Sequence, residues 1–149
     1  MKTTRFAFVA LLASLAGTAL SAPAPAPAPG AYRVVVNSAN AASSMSREDV
    51  ARLFLKKLTV WPGGQAAQPV DQSKQSAARK AFSQGVLNKD VSAVESYWQQ
   101  AIFSGRSVPP LEKASDAEVL AFVRANPGAV GYVSGGADLG ASVKELTVN

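Results

Sequence analysis

The sequence predicts an α/β fold in which about four helices flank a small mixed sheet. Short runs rich in β-branched residues occupy 32–37 and 129–133 and favour buried strands. The segments between them place apolar residues three and four positions apart, which is typical of amphipathic helices. Because strands alternate with helices along the chain, we expect a layered fold with an at least partly parallel sheet.

The first predicted strand, 32–37, is followed by a small, polar loop and then by a helix that begins at Ser46. Ser46 is a suitable N-cap, and we expect the Asp49 carboxylate to reach back to the cap amide. The apolar face of this helix consists of Val50, Leu53 and Phe54. The sequence Pro-Gly-Gly at 62–64 then requires a turn.

A short strand is predicted at 68–71, where Pro69 indicates that it is brief or lies at a sheet edge. A second helix is predicted at 76–87. Its inner face consists of Ala78, Phe82 and Val86, with Ala81 and Leu87 broadening the stripe.

The second half of the chain contains two further helices and two strands. A helix is predicted at 90–103 with Asp90 as its cap. Ser115 and Glu118 have capping-box spacing and open a helix that ends at Asn-Pro-Gly, 126–128. Strands are predicted at 129–133 and 143–148.

The N-terminal 31 residues are predicted to lie outside the folded domain. Lys2, Arg5 and the apolar run 6–15 indicate a secretory signal at 1–21. The apolar run is too short to span a bilayer comfortably. Alternating Ala and Pro make 22–31 a stiff, exposed linker. We therefore expect one domain at 32–149, a periplasmic location and no stable membrane span after signal cleavage.

Composition limits the classes of function. The formal charge is +5, and removal of Lys2 and Arg5 leaves 13 basic and 10 acidic residues. This mild positive balance is compatible with an anionic ligand and equally with solubility alone. A basic run with interleaved aromatic residues is absent, which argues against nucleic-acid binding.

Two residue types that are common in catalytic and metal sites are missing. The chain has no His and no Cys, which excludes a Ser-His-Asp triad and the usual zinc sites. No Walker-type or dinucleotide-type glycine loop occurs. We therefore expect a protein that is not an enzyme and has no metal or other cofactor.

The best candidate ligand site is the start of the second helix, where backbone amides and the helix dipole favour an oxyanion. Ser73, Gln75 and Ser76 offer additional donors, and Arg79 offers a bidentate charge. The alternative is that Ser73 or Ser76 only caps the helix and Arg79 is a solvated surface residue.

Two other places offer polar or charged groups. Asn37 and Ser38 end the first strand, where α/β sheets tend to bind ligands, although they are equally suited to a turn. Lys56 and Lys57 either present positive charge to a ligand or partner or simply stabilise the end of a helix dipole.

The order of several motifs resembles the phosphate-type periplasmic binding proteins. A helix is followed by Leu53-Phe-Leu-Lys-Lys57 and then Trp61, with Lys56 in the place of the usual Gly. The stretch Asn126-Pro-Gly-Ala-Val-Gly-Tyr-Val133 is similar to the family's Pro-Gly-Ala/Ser-Ile-Gly-Tyr-Val signature. Here we expect Gly131 to permit close packing.

Other stretches extend the resemblance over most of 34–148. Tyr97-Trp98, Ile102-Phe-Ser-Gly105 and Pro109-Pro110 resemble the short, single-lobe members. Residues 71–82 stand where larger members carry Arg-x-Asp-x-Ser-Gly-Thr, with Ser76-Ala77-Ala78 in the place of Ser-Gly-Thr. The resemblance implies a single lobe of a periplasmic binding protein type II-like fold.

The resemblance also implies a function. It points to an exported periplasmic solute-binding-like protein that binds an oxyanion, phosphate, weakly and is related to phosphate transport by an ABC transporter. The alternative is a scaffold in the cell envelope that keeps the lobe, binds no small ligand and interacts with an envelope or transporter protein. The missing Ser-Gly-Thr motif favours the alternative.

Overall fold

The computed structural model describes residues 31–149. The predicted signal at 1–21 and all but the last residue of the predicted linker lie outside the described residues. Within them, the chain forms the predicted α/β fold. The helices are α1 Arg47–Phe54, α2 Ala77–Gly85, α3 Val91–Phe103 and α4 Asp116–Ala125.

Five strands form the main sheet and two short strands form a second one. The main-sheet strands are β1 Tyr32–Asn37, β3 Gln68–Gln72, β4 Leu111–Lys113, β5 Ala129–Ser134 and β6 Val143–Glu145, in the order β4-β3-β5-β1-β6. The second sheet pairs β2 Ser44–Met45 with β7 Thr147–Val148 in parallel.

The main sheet is mixed, as predicted. Strand β3 runs parallel to β4 and β5, whereas β1 runs antiparallel to β5 and β6. The carboxyl ends of β3 and β1 therefore lie at opposite ends of the sheet. Gln68, the first residue of β3, pairs with Ala129, and the β1 residue Val36 pairs with Val130.

The sheet carries a hydrophobic cluster on each face. One cluster joins α1, α2 and α3 to alternate β1 residues such as Val34 and Val36. The other joins α4 to Val35, which points to the opposite face as expected from strand periodicity. A Cβ on Gly131 would lie 2.7 Å from Val119 Cγ1 and 2.8 Å from Val70 Cγ1. The predicted close-packing role of Gly131 is therefore confirmed.

Two strand predictions differ from the structure. Strand β3 is short, as predicted, and extends one residue beyond 68–71, but it lies between β4 and β5, so the predicted edge position is wrong. Pro69 is tolerated because pairing with β4 begins only at Val70, one residue later. The predicted strand 143–148 divides at Leu146, which is buried, and its two parts join different sheets.

The predicted helix caps are confirmed at all four helices. The side chains of Ser46, Ser76, Asp90 and Ser115 each accept a hydrogen bond from the backbone N–H three residues later. One detail differs. The Asp49 carboxylate accepts from Arg52 Nη1 at 3.1 Å and does not reach back to the cap amide.

Among residues 31–149, no helix has the length and apolar character needed to cross a membrane.

Candidate functional site

The N-terminal end of α2 is a capped helix start beside an exposed loop. Ser76 Oγ accepts from Arg79 N at 3.2 Å and donates to Gln72 Oε1 at 2.8 Å. The amides of Ala77 and Ala78 have no hydrogen-bond partner within 31–149. Ala77 is exposed, as are two residues of the preceding loop, Lys74 and Gln75. This end of the helix therefore keeps donors that no protein acceptor uses.

Gln72 connects this helix end to the sheet and to α4. Its Nε2 donates to Asp116 Oδ1 and to the carbonyl of Tyr132, each at 2.8 Å. Its Oε1 accepts from Ser76. The Gln72 amide thus has protein partners on both its oxygen and its nitrogen, and it fixes the position of the cap residue.

Arg79 lies inside the fold, with a side chain only 6% exposed. Its Nη1 is 2.7 Å from Asp71 Oδ1 and donates to the Gln72 carbonyl at 2.7 Å. The more exposed Glu112 carboxylate lies 4.0 Å from the same atom. Arg79 Nε is buried and has no partner in the described structure. The Asp71 carboxylate therefore neutralises the guanidinium, and Nη1 is held between that carboxylate and the Gln72 carbonyl.

Tyr132, on β5, completes a buried polar cluster with Asp71, Gln72 and Arg79. Its hydroxyl donates to Asp71 Oδ1, and its ring stacks on Phe82 with centroids 4.0 Å apart and planes 7° apart. Burial raises the pKa of the Asp71 carboxyl, and the Arg79 charge opposes that rise. Burial also raises the pKa of the Tyr132 hydroxyl, which the adjacent Asp71 carboxylate raises further. Tyr132 therefore stays protonated and acts as a donor.

Charges of both signs surround this end of α2. Lys74 Nζ lies 3.3 Å from Glu95 Oε1, so Lys74, like Arg79, has a carboxylate partner. The backbone N–H groups at the start of the helix are the donors that this site offers to an anion.

Ser73 and Gln75 lie in the loop before α2, together with Ser76. Ser73 Oγ donates to Gln75 Oε1, and Ser73 N donates to the Lys113 carbonyl at 2.9 Å. The structure thus brings four predicted residues to one helix start: Ser73, Gln75, Ser76 and Arg79. Ser73 and Gln75 lie in the loop, Ser76 caps the helix, and the Arg79 side chain is buried.

Asn37 and Ser38 are in a different place. Asn37 Nδ2 donates to the carbonyls of Val123 and Arg124 at the end of α4, at 2.9 and 3.0 Å. Its Oδ1 accepts from Ala39 N at 2.9 Å. Ser38 N donates to the Ser142 carbonyl at 3.0 Å. Because β1 and β3 are oriented in opposite directions, these two residues lie at the other end of the sheet from Ser76.

The aromatic and basic residues of the predicted motifs have structural contacts. Trp61 is buried and its Nε1 donates to the Gly128 carbonyl at 2.9 Å. Tyr97 donates to the Leu55 carbonyl at 3.0 Å. Lys56 has a positive φ of 52° and its Nζ lies 3.4 Å from the Pro109 carbonyl.

Sequence reasoning missed Gln72, Asp116 and Tyr132 as members of this cluster. Asp71 had a signal that went unused, since a carboxylate inside a predicted buried strand needs a partner. The contacts of Gln72 and Tyr132 depend on the pairing of β3 with β5, which local patterns do not specify. Within the described ranges, no group of three or more metal-ligating residues of the His, Cys, Asp and Glu types comes together.

Solved structures share this fold. An ABC-type phosphate transport receptor from Vibrio cholerae is 23% identical with a TM-score of 0.60; the match covers 79% of this chain and 46% of the receptor. PstS from Borrelia burgdorferi is 14% identical with a TM-score of 0.59; the match covers 80% of this chain and 47% of PstS. A structure from Clostridium perfringens that contains bound phosphate is 19% identical with a TM-score of 0.60; the match covers 79% of this chain and 44% of that one.

These matches confirm the predicted resemblance to phosphate-transport binding proteins at the level of the fold. The chain spans less than half the length of these neighbours. No protein-family model matches the chain, and no curated protein matches it with statistical significance.

Proposed function

We propose that this chain is an exported, non-catalytic, solute-binding-like protein whose α2 N-terminus binds an oxyanion, with phosphate as the ligand to test. The observation that carries the proposal is the pair of unpartnered amides at Ala77 and Ala78 beside the exposed loop 73–75. Aligned amides and the positive end of the helix dipole favour an anion there. The fold shared with phosphate-transport proteins supports the choice of phosphate and a role in ABC transport.

In this proposal the predicted residues have different tasks. Ser73 and Gln75 supply side-chain donors from the loop, and Ser76 holds the helix start. Arg79 pairs with Asp71 and donates to the Gln72 carbonyl, and it thereby positions the residues of the site. Because Asp71 partly neutralises it, its charge adds little attraction for an anion. The periplasm, to which the predicted signal would direct the chain, is where such a protein would meet its ligand.

We expect weak binding. Two loop residues are exposed, so the anion keeps part of its hydration shell. The nearby carboxylates Asp71 and Glu112 also oppose a second negative charge. A dissociation constant on the order of 1 mM corresponds to about 4 kcal/mol, which a few helix amides can supply.

The test is a calorimetric titration of phosphate at low ionic strength, with sulfate as the comparison anion. The variant Ala77→Pro removes one unpartnered amide at the first helical position, where proline is well tolerated. Ser76 has φ −64° and ψ 133°, a conformation that a residue before proline adopts readily. We expect Ala77→Pro to weaken phosphate binding severalfold while its melting temperature stays close to that of the parent chain.

The matched control is Val91→Pro, the same change at the first position of α3, whose cap Asp90 is also extended. We expect this control to bind phosphate like the parent chain. Equal affinity of Ala77→Pro and the parent chain would contradict the placement of the site. Absence of any saturable binding at millimolar phosphate would contradict the proposed function itself.

A second candidate function is a partner-binding scaffold in the cell envelope. The observation that favours it is the pairing of Arg79 with Asp71, which occupies the charge that an anion site would otherwise use. Capture of the same transporter or envelope protein in the presence and absence of phosphate would support this candidate. It would be rejected if every captured partner required phosphate.

A further inference from the structure

The end of α3 presents large apolar side chains to solvent. Phe103 is 97% exposed, Val108 is 62% exposed and Ile102 is 53% exposed. Together with Arg106, which is also exposed, we call these residues the α3 tip. These side chains are not part of the core, and an exposed apolar group of this size is typical of an interaction surface.

The α3 tip is an ordered turn. Gly105 has a φ of 66° and its N–H donates to the Ile102 carbonyl at 3.0 Å. Arg106 N donates to the Ala101 carbonyl at 3.0 Å, which completes a Schellman motif. Arg106 Nε donates to Ser104 Oγ at 2.8 Å. The backbone therefore holds Phe103 outward by a defined helix end.

The surroundings of the tip are basic. Lys56 Nζ lies 3.4 Å from the Pro109 carbonyl, and Lys57 Nζ lies 5.8 Å from the centre of the Tyr97 ring. The two segments that meet here, 55–58 and 102–110, contain Lys56, Lys57 and Arg106 and no Asp or Glu. Arg52, one turn earlier in α1, is paired with Asp49 at 3.1 Å. The tip therefore combines exposed apolar groups with a positive charge that no carboxylate of these segments balances.

We propose that the α3 tip is a docking surface for an anionic lipid bilayer. Phe103, 97% exposed, projects from the surface, and a projecting apolar side chain with basic neighbours suits the boundary between headgroups and acyl chains. Lys56, Lys57 and Arg106 would then face the phosphate groups of acidic lipids. An acidic protein partner needs a preformed pocket for Phe103, whereas a bilayer adapts to it. This inference is independent of phosphate binding at α2.

The experiment is flotation of the secreted chain with vesicles of phosphatidylglycerol and phosphatidylcholine, compared with vesicles of phosphatidylcholine alone. We expect binding to the anionic vesicles that high salt weakens. Phe103→Ser should reduce that binding roughly tenfold, the value of burying part of a large apolar side chain. Arg106→Gln should reduce it about fivefold, and only on anionic vesicles.

Val60→Ser is the matched control, because Val60 is 43% exposed but lies outside the tip. It should bind vesicles like the parent chain. All variants share one N-terminus, so any contribution from that segment cancels. Equal vesicle binding by Phe103→Ser and the parent chain would overturn the proposal. Loss of self-association or of protein capture in Phe103→Ser, without any vesicle binding by the parent chain, would overturn it in favour of a protein partner.

Discussion

At the scale of single residues, the pair formed by Asp71 and Arg79 decides how the candidate site is built. Both side chains are buried. The Tyr132 hydroxyl and the Gln72 N–H donate to Asp71, and the Gln72 carbonyl accepts from Arg79. A buried ion pair of this kind is costly to break, because the remaining partner becomes an uncompensated charge. The same pair explains why Arg79 supports α2 and does not reach into solvent.

Arg79→Met is expected to lower the free energy of unfolding by about 3 kcal/mol, because it leaves the Asp71 carboxylate buried without its cation. The double variant with Asp71→Asn should recover most of that loss. Urea denaturation followed by circular dichroism measures both. The partly exposed pair of Arg33 and Glu145 is the control, and Arg33→Met there should cost about 1 kcal/mol or less. If Arg79→Met and its double variant with Asp71→Asn lose the same free energy of unfolding, the proposed coupling between the two side chains is contradicted.

At the scale of secondary-structure elements, the helix starts could be predicted from the sequence. The end of α1, in contrast, bears on Lys56, where the chain departs from the family that it resembles. Each N-cap depends on a short polar side chain and its own helix, so local sequence suffices. The end of α1 is a Schellman motif, in which Lys56 N donates to the Leu53 carbonyl at 3.1 Å and Lys57 N to the Arg52 carbonyl at 2.8 Å. Lys56, at φ 52°, occupies the left-handed position where the family carries Gly.

Lys56→Gly is therefore expected to stabilise the chain by about 1 kcal/mol, because glycine adopts this left-handed conformation without steric cost. Thermal unfolding should show a higher midpoint. Gly105, at φ 66°, occupies the corresponding position at the end of α3, so Gly105→Lys should have the opposite effect. A lower midpoint for Lys56→Gly would show that its contact with the Pro109 carbonyl outweighs the backbone strain.

The short strands could not be predicted for a related reason. Strand β4 has three residues that follow two prolines, and β2 has two. Their extended conformation is fixed by pairing with β3 and β7, which lie far away in sequence. Nothing in the local pattern of either segment marks it as a strand.

At the scale of the whole molecule, the topology determines which predicted site residues meet. The alternation of strands and helices predicted the fold class, and the motifs predicted the resemblance that the solved structures confirm. The sequence did not specify that β1 is antiparallel to β5, and that orientation separates Asn37 from Ser76. Strand order and direction arise from long-range pairing, so a site assembled across the sheet is the part that local patterns predict least.

The central claim of this account is that an oxyanion binds at the α2 N-terminus and not at the carboxyl end of β1. The most direct test is a phosphate titration of the chain, followed by its amide nitrogen and proton chemical shifts. We predict saturable shifts concentrated at Ser73, Ala77 and Ala78 that sulfate reproduces more weakly, with Asn37 and Ser38 unchanged. Saturable shifts at Asn37 and Ser38 alone, or no saturable shifts at millimolar phosphate, would contradict the account.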